Sequence, residues 1–310
     1  MYRKKALLII NPYAGKMRIR SALYTIIDEL TKGGYTTTVR LTEYCGHATE
    51  IARNVQAGEY DIVICSGGDG TLNEVASGII QSKSDTLLGY IPSGSTNDFA
   101  STLGLSKDIQ TCAKDIVNGT VHRLDMGRLN DRIFSYVASF GLFTKVSYVT
   151  DQTAKNLLGK VAYIIEGMKD LTDVHEQKMI IEADGKIIDD TFTFGAISNS
   201  TSLGGIITLD PSDVCLDDGM FEYLFIKKIS NVADLLKALN AITSYDYLSD
   251  MLYFGSAKKL VFHSESSFDW SLDGERATAG KDLVVENIHK AISIVLPYRQ
   301  NALIETQEIV

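Results

Sequence analysis

The stretch Ser66-Gly67-Gly68-Asp69-Gly70-Thr71-Leu72-Asn73-Glu74 constrains this chain more than any other. It follows Ile62-Val63-Ile64-Cys65, a short β-branched run suited to a buried strand, and it precedes residues 72–80, whose apolar positions recur at helical spacing. A strand, a glycine turn and a helix in succession form an anion cradle. Gly67, Gly68 and Gly70 remove Cβ atoms that would block positive φ or hold a phosphate away from backbone N–H groups. The helix adds its N-terminal donors and partial positive charge. Thr71 and Glu74 have the spacing of a capping box, which sets the expected helix start. Asp69 is an anion where phosphates are expected, so the reading gives it a Mg²⁺ ion to face, directly or through water. A plain glycine turn with a solvated Asp is the alternative this stretch leaves open by itself.

A chain of 310 residues is long for one core. The expected partition is an α/β domain over residues 1–125 and a second domain over 126–310, with the last residues free to return to the first. The net charge of −9, from 30 basic and 39 acidic residues, argues against a broad nucleic-acid surface. Arg3-Lys4-Lys5 and Lys258-Lys259 read as solvated faces rather than docking patches. Cys45, Cys65, Cys112 and Cys215 are far apart and lack histidines at metal spacing, so the expectation is a cytoplasmic protein with neither a disulfide framework nor a zinc site. The apolar run at residues 6–10 is too short for a signal-peptide core. No window approaches the roughly 18 apolar residues of a spanning helix, so work on a lipid would have to proceed from the membrane surface.

Taken in order, residues 5–10 read as a first buried strand ended by Asn11-Pro12-Tyr13-Ala14-Gly15-Lys16. Residues 20–30 read as a helix, 35–41 as a strand with Thr42 at its end, and 47–55 as a second helix. Residues 87–91 form another strand, stopped by Pro92-Ser93-Gly94-Ser95-Thr96-Asn97-Asp98 before a helix from about Phe99. Alternating strands and helices imply a parallel sheet covered on both faces, with ligands at the carboxyl ends of strands. From about Asp125 the pattern changes to strands at 134–139, 177–182, 186–198, 220–227, 258–263, 268–272 and 291–296, an antiparallel β-sandwich or flattened barrel. Ala183-Asp184-Gly185-Lys186 is a hairpin signal within it. Residues 160–171 and 232–248 read as helices packed on that sheet, with contact to a membrane as the alternative.

Two acidic turns complete the inventory. Ser271-Leu272-Asp273-Gly274-Glu275 places two carboxylates two residues apart, able to accept a proton from a hydroxyl or to hold a metal beside it. Phosphoryl transfer needs that division of labour, with donors and Mg²⁺ at the phosphates and a carboxylate at the attacking hydroxyl. An ordinary hairpin turn is the alternative. Cys215-Leu216-Asp217-Asp218-Gly219-Met220 could bind a hard cation through Asp218 and nearby carbonyls, or serve only as a turn into the next strand. The five histidines show no arrangement for nucleophilic catalysis.

Together, Asn11-Pro12 with Gly15, Gly67-Gly68-Asp69-Gly70-Thr71 with Asn73-Glu74, Pro92-x-Gly94-x-x-Asn97-Asp98-Phe99-Ala100, and Leu272-Asp273-Gly274-Glu275 closely resemble the diacylglycerol kinase catalytic-domain family. That family includes sphingosine and ceramide kinases and soluble bacterial lipid kinases. The resemblance implies a nucleotide domain similar to that of NAD kinases, followed by a β-sandwich, with the active site between them. It implies that ATP phosphates are held by Asn11, Pro12, Gly15, Lys16, Thr42, the segment Gly67, Gly68, Asp69, Gly70, Thr71, Asn73 and Glu74, and Thr96. It further implies that Asp69 organises Mg²⁺, that Glu275 with Asp273 beside it is the base, and that Asp218 with the carbonyls of Cys215 and Met220 forms a structural metal site. Ala14 and Ser101 depart from the family pattern, which often has Ser and Arg there. The implied partner is a lipid substrate reached by transient contact with the inner membrane surface, diacylglycerol giving phosphatidic acid being the best fit. A homodimer is an open option. NAD kinase and a non-catalytic nucleotide or lipid binder are the competing readings.

Overall fold

The computed structural model describes residues 3–15, 18–141, 176–203, 207–278, 280–298 and 303–304. The helix expected at 160–171 and the phosphate contact expected of Lys16 lie outside the described residues. The first half is a parallel sheet of β1 (Lys4–Ile10), β2 (Tyr35–Leu41), β3 (Ile62–Gly67) and β4 (Leu87–Pro92) in the order β2-β1-β3-β4. Strand periodicity of two sorts its side chains onto opposite faces. Ala6, Leu8, Ile10, Ile62 and Ile64 pack with α1 (Arg18–Lys32) and α5 (Ile109–Asn118). Leu7, Ile9, Val63, Cys65 and Tyr90 pack with α2 (His47–Arg53) and α3 (Asp69–Ser82). Burial on both faces explains why these strands read as unbroken apolar runs.

α3 starts at Asp69, three residues earlier than its apolar spacing suggested, and its N-cap is Gly68 with no side-chain cap. The Thr71/Glu74 capping box is therefore not formed. Both side chains bond elsewhere, as the site geometry below shows. The short α4 (Asp98–Thr102) follows the β4 turn.

β5 (Thr120–Leu129) begins the second half, followed by β6 (Arg132–Phe134) and β7 (Val137–Gly141). The single strand read over 134–139 is thus split by a corner at Ser135 and Tyr136. β8 (Gln177–Ala183) and β9 (Lys186–Ser198) form the expected hairpin, with Asp184 at φ +45° and Gly185 at φ +88°. The pair β10 (Ser202–Leu203) and β11 (Ile207–Thr208) precedes β12 (Phe221–Lys227), α6 (Val232–Thr243) and β13 (Leu252–Ala257). β14 (Lys259–Ser264), β15 (Asp269–Leu272), β16 (Glu275–Thr278) and β17 (Asp282–Leu296) follow. These antiparallel strands enclose an aromatic core in which the Trp270 ring lies 5.0 Å from Phe140 and 5.2 Å from Phe262.

The halves are continuous. β17 pairs with β14 at one end and with β4, at Ile294 opposite Leu88, at the other, and β5 lies beside it from Thr120 to Leu129. The boundary expected after residue 125 falls inside β5. At that point the β5–β17 register shifts between Ile288 and Ile292, and Lys290 takes φ +50°. The buried Asp125 carboxylate fills the irregularity, accepting from the N–H groups of Gly219 (2.6 Å) and Lys290 (2.6 Å), from Asn287 Nδ2 (3.3 Å) and in contact with His289 Nδ1 (3.0 Å). Removing such an acceptor strands several donors at once. Asp125→Ala is expected to lower unfolding free energy by about 3 kcal/mol, read as a lower urea midpoint at unchanged m-value.

Candidate active site

Four turns meet at the carboxyl ends of the parallel strands. Asn11 carries the first: its N–H donates to Ser66 O (2.9 Å), its Oδ1 accepts from Tyr13 N–H (3.0 Å), and its Nδ2 donates to Thr71 Oγ1 (3.1 Å). That last bond couples the turn after β1 to the first turn of α3. Pro12 is half-buried behind it. Gly15 has φ +47°, and a Cβ there would lie 1.8 Å from the Ser93 carbonyl oxygen, so only glycine lets the β1 and β4 turns touch. Buried Thr42 closes the end of β2 by donating its N–H to Ile10 O (2.9 Å). Gly67 O accepts the Ser93 N–H (2.8 Å), while Thr96 is exposed at the tip of the β4 turn. α3 starts beside these turns with no side-chain cap at Gly68, and a helix N-terminus of this kind suits an anion.

The acidic residues of the glycine turn are committed in ways their spacing did not show. Glu74 reaches across to α2 and accepts from the N–H groups of Gly46 (2.8 Å) and Ala48 (3.1 Å). It caps α2, so its carboxylate is committed to that helix in this structure. Asp69 is 8% exposed, and its two oxygens accept from Asp98 N–H (3.0 Å) and Phe99 N–H (3.3 Å), capping α4. Burial pushes its carboxyl up to about 6, with the α4 amides opposing and Asp98 reinforcing that shift. Asn73 is likewise turned away from the cradle, donating from Nδ2 to Ile133 O (3.1 Å) and accepting at Oδ1 from Ser135 Oγ (3.3 Å).

The acidic turn lies directly opposite. Asp273 is buried at φ +50° and accepts the N–H groups of Ser135 (2.5 Å), Tyr136 (3.0 Å) and Val137 (3.0 Å). Burial pushes it up to about 7 against the pull of those amides, with a smaller contribution from Asp69. It stands two residues from Glu275 as expected, but its carboxylate is occupied by the corner between β6 and β7. Glu275 is exposed, its side chain without a hydrogen bond among the described residues, and a Cβ placed on Gly70 would lie 2.9 Å from its Oε1. Residues about two hundred positions apart thus face each other across one crevice, the glycine turn supplying amides and the acidic turn a carboxylate.

The third acidic turn is less prepared. Asp218 is exposed and accepts Met220 N–H (2.8 Å), Met220 O accepts from Asn287 Nδ2 (2.8 Å), and Cys215 Sγ contacts Asp217 (3.4 Å). Among the described residues no three His, Cys, Asp or Glu side chains cluster as a metal site. A cation there would rest on Asp218 and carbonyls. Glu222 is the residue that spacing did not reveal: it is buried, its Oε2 has no partner, and burial followed by the Asp218 charge pushes it up to about 8. Its place inside an apolar-looking strand gave no signal.

The profile of the diacylglycerol kinase catalytic domain matches residues 5–129. A diacylglycerol kinase of Bacillus subtilis (strain 168) is 31% identical over 296 residues, spanning 95% of this chain and 97% of its own length. The chain belongs to the diacylglycerol kinase family. A Staphylococcus epidermidis diacylglycerol kinase is 34% identical over 274 residues, 88% of this chain and 86% of that one. A solved Bacillus anthracis protein assigned to the diacylglycerol kinases superposes with a TM-score of 0.79 at 26% identity, covering 95% of this chain and 96% of that one.

In this kinase of the family, the two departures from the family pattern are bonded locally: Ala14 donates its N–H to Asn11 O (3.3 Å), and exposed Ser101 donates its hydroxyl to Asn97 O (3.3 Å). No described helix is long and apolar enough to cross a membrane. Asp273, raised from 3.8 to about 7, holds its proton in the fold where the unfolded chain has lost it. Its contribution to stability is therefore present below about pH 4 and lost as pH rises to about 7. Asp273→Asn should flatten that part of the stability-against-pH curve, measured by urea melts from pH 4 to pH 8.

Proposed function

We propose that this kinase transfers the γ-phosphate of ATP to a lipid hydroxyl, with diacylglycerol as acceptor and phosphatidic acid as product. The observation that carries the reading is the exposed Glu275 carboxylate poised over Gly70 at the N-terminus of α3. The α3 amides and the turns of Asn11, Thr42 and Thr96 would bind the phosphates, and the positive end of the helix would offset their charge. Glu275 takes the proton of the acceptor hydroxyl as its oxygen bonds to the γ-phosphorus and the bond to ADP breaks. Mg²⁺, when bound, neutralises the phosphate oxygens. Asp69 would hold it through the lone pairs that the α4 amides leave over, and Asp218 with the Cys215 and Met220 carbonyls would hold a second, structural ion.

In this reading the acceptor stays in the membrane and the protein visits it from the cytoplasmic side, a transient contact that needs no spanning helix. The direct test is labelled ATP with diacylglycerol, a fractionated lipid extract and NAD in parallel. Label in phosphatidic acid supports the proposal. Label only in NAD, or in no acceptor, overturns it.

Two substitutions probe the crevice. Glu275→Gln should lower lipid phosphorylation roughly 10²- to 10⁴-fold, leaving a measurable residual rate, with the ADP dissociation constant within about twofold, since the amide keeps the shape and loses the base. Gly70→Ala should separate stability from activity. Alanine favours a helix over glycine by up to about 1 kcal/mol, so the melting temperature should hold or rise. The new methyl would meet Glu275 Oε1 at 2.9 Å and displace it, so turnover should fall at least about tenfold.

A further inference from the structure

Gly70 and Asn73 are three residues apart on α3 and so share one helix face. Gly70 meets the Glu275 carboxylate, and Asn73 meets the corner between β6 and β7. Both ends of the Asn73 amide are used there, Nδ2 on the Ile133 carbonyl and Oδ1 under the Ser135 hydroxyl. The Ile133 carbonyl can only accept, so Nδ2 must face it, and that orientation leaves Oδ1 to accept from the Ser135 hydroxyl. The same corner carries the N–H groups of residues 135–137 that enclose the Asp273 carboxylate, and Asp273 returns its own N–H to Val137 O (2.9 Å). Two residues beyond Asp273 stands Glu275. An unbroken series of bonds therefore runs from the helix that faces the phosphates, through the sandwich corner, to the turn that presents the base.

We propose that Asn73 is a positioning residue: through Ser135 and the Asp273 amide nest it sets the height of the Glu275 carboxylate above the N-terminus of α3. This rests on the kinase reading of the crevice. Asn73 does not bind phosphate; it keeps two halves of one active site in register. An aspartate at 73 would lose the donor to Ile133, and an alanine would lose both bonds. Misplacement of a reacting group by about 1 Å is enough to cost roughly a hundredfold in rate.

The test uses the full chain, with Asn73→Ala and the milder Ser135→Ala, each made alone and in the Glu275→Gln background. In the native background Asn73→Ala should lower kcat roughly 10- to 100-fold, with KM for ATP and the directly measured ADP dissociation constant within about twofold. In the Glu275→Gln background the same change should cost nothing further in residual turnover, because the group it positions is already gone. A tenfold weaker ADP complex would make Asn73 a phosphate ligand, and an equal loss in both backgrounds would make it a general structural residue; either overturns the proposal. If Asn73→Ala does not fold, Ser135→Ala, which keeps every backbone bond, decides by the same criteria. If the wild-type chain phosphorylates no acceptor, the kinase reading has failed, and amide hydrogen exchange judges the coupling alone: faster exchange at 133–137 and 272–276 in Asn73→Ala supports it, and unchanged exchange overturns it.

Discussion

The pairing of β5 with β17 is the constraint on which the rest of the molecule depends. Either strand alone would belong to one half. Side by side they run from the parallel sheet, where β17 meets β4, into the sandwich, where it meets β14. The crevice exists because this ladder fixes where the sandwich stands relative to the carboxyl ends of the parallel strands. Closer bonds then refine the arrangement: Asn73 on Ile133 and Ser135, the Thr102 and Ser200 hydroxyls at 2.7 Å, and the Phe99 ring stacked on Tyr136 at 5.9 Å.

Around the crevice, similar carboxylates do different work according to what encloses them. Glu74 caps α2, Asp69 caps α4, and Asp273 gathers three amides of a corner. For each buried acid the loss of water outweighs the amides that favour its charge, which is why Asp69 and Asp273 both titrate upward. Glu275 lacks such enclosure among the described residues, and it is the one at the surface of the crevice. Access to backbone N–H groups thus separates the enclosed acids from the exposed one.

Much of this was legible in the chain. The parallel strands announce themselves because burial on both faces leaves unbroken apolar runs, and the turns at their carboxyl ends because glycine is tolerated where backbones nearly touch, as at Gly15. The strand β5 did not, because Arg123, Asp125 and Arg128 interrupt it where it passes between two environments. α5 and β13 were missed as well, and β17 was seen only over its last six residues, since its central part alternates imperfectly around the irregularity. The roles of Glu74 and Asp273 were beyond reach for a different reason. An acid beside a glycine reads alike whether it meets solvent, a ligand or the end of a helix far off in sequence, and only the tertiary neighbours decide.

The register shift between Ile288 and Ile292 gives this architecture an uneven compliance. Elsewhere along β5 and β17 a bend would have to break regular ladder bonds. At the shift the ladder is already interrupted, and side-chain and amide contacts to a single carboxylate, Asp125, take its place. Flexure between the two halves costs least there, so the waist beside residue 125 is where the molecule can bend while both flanking lengths of sheet remain stiff.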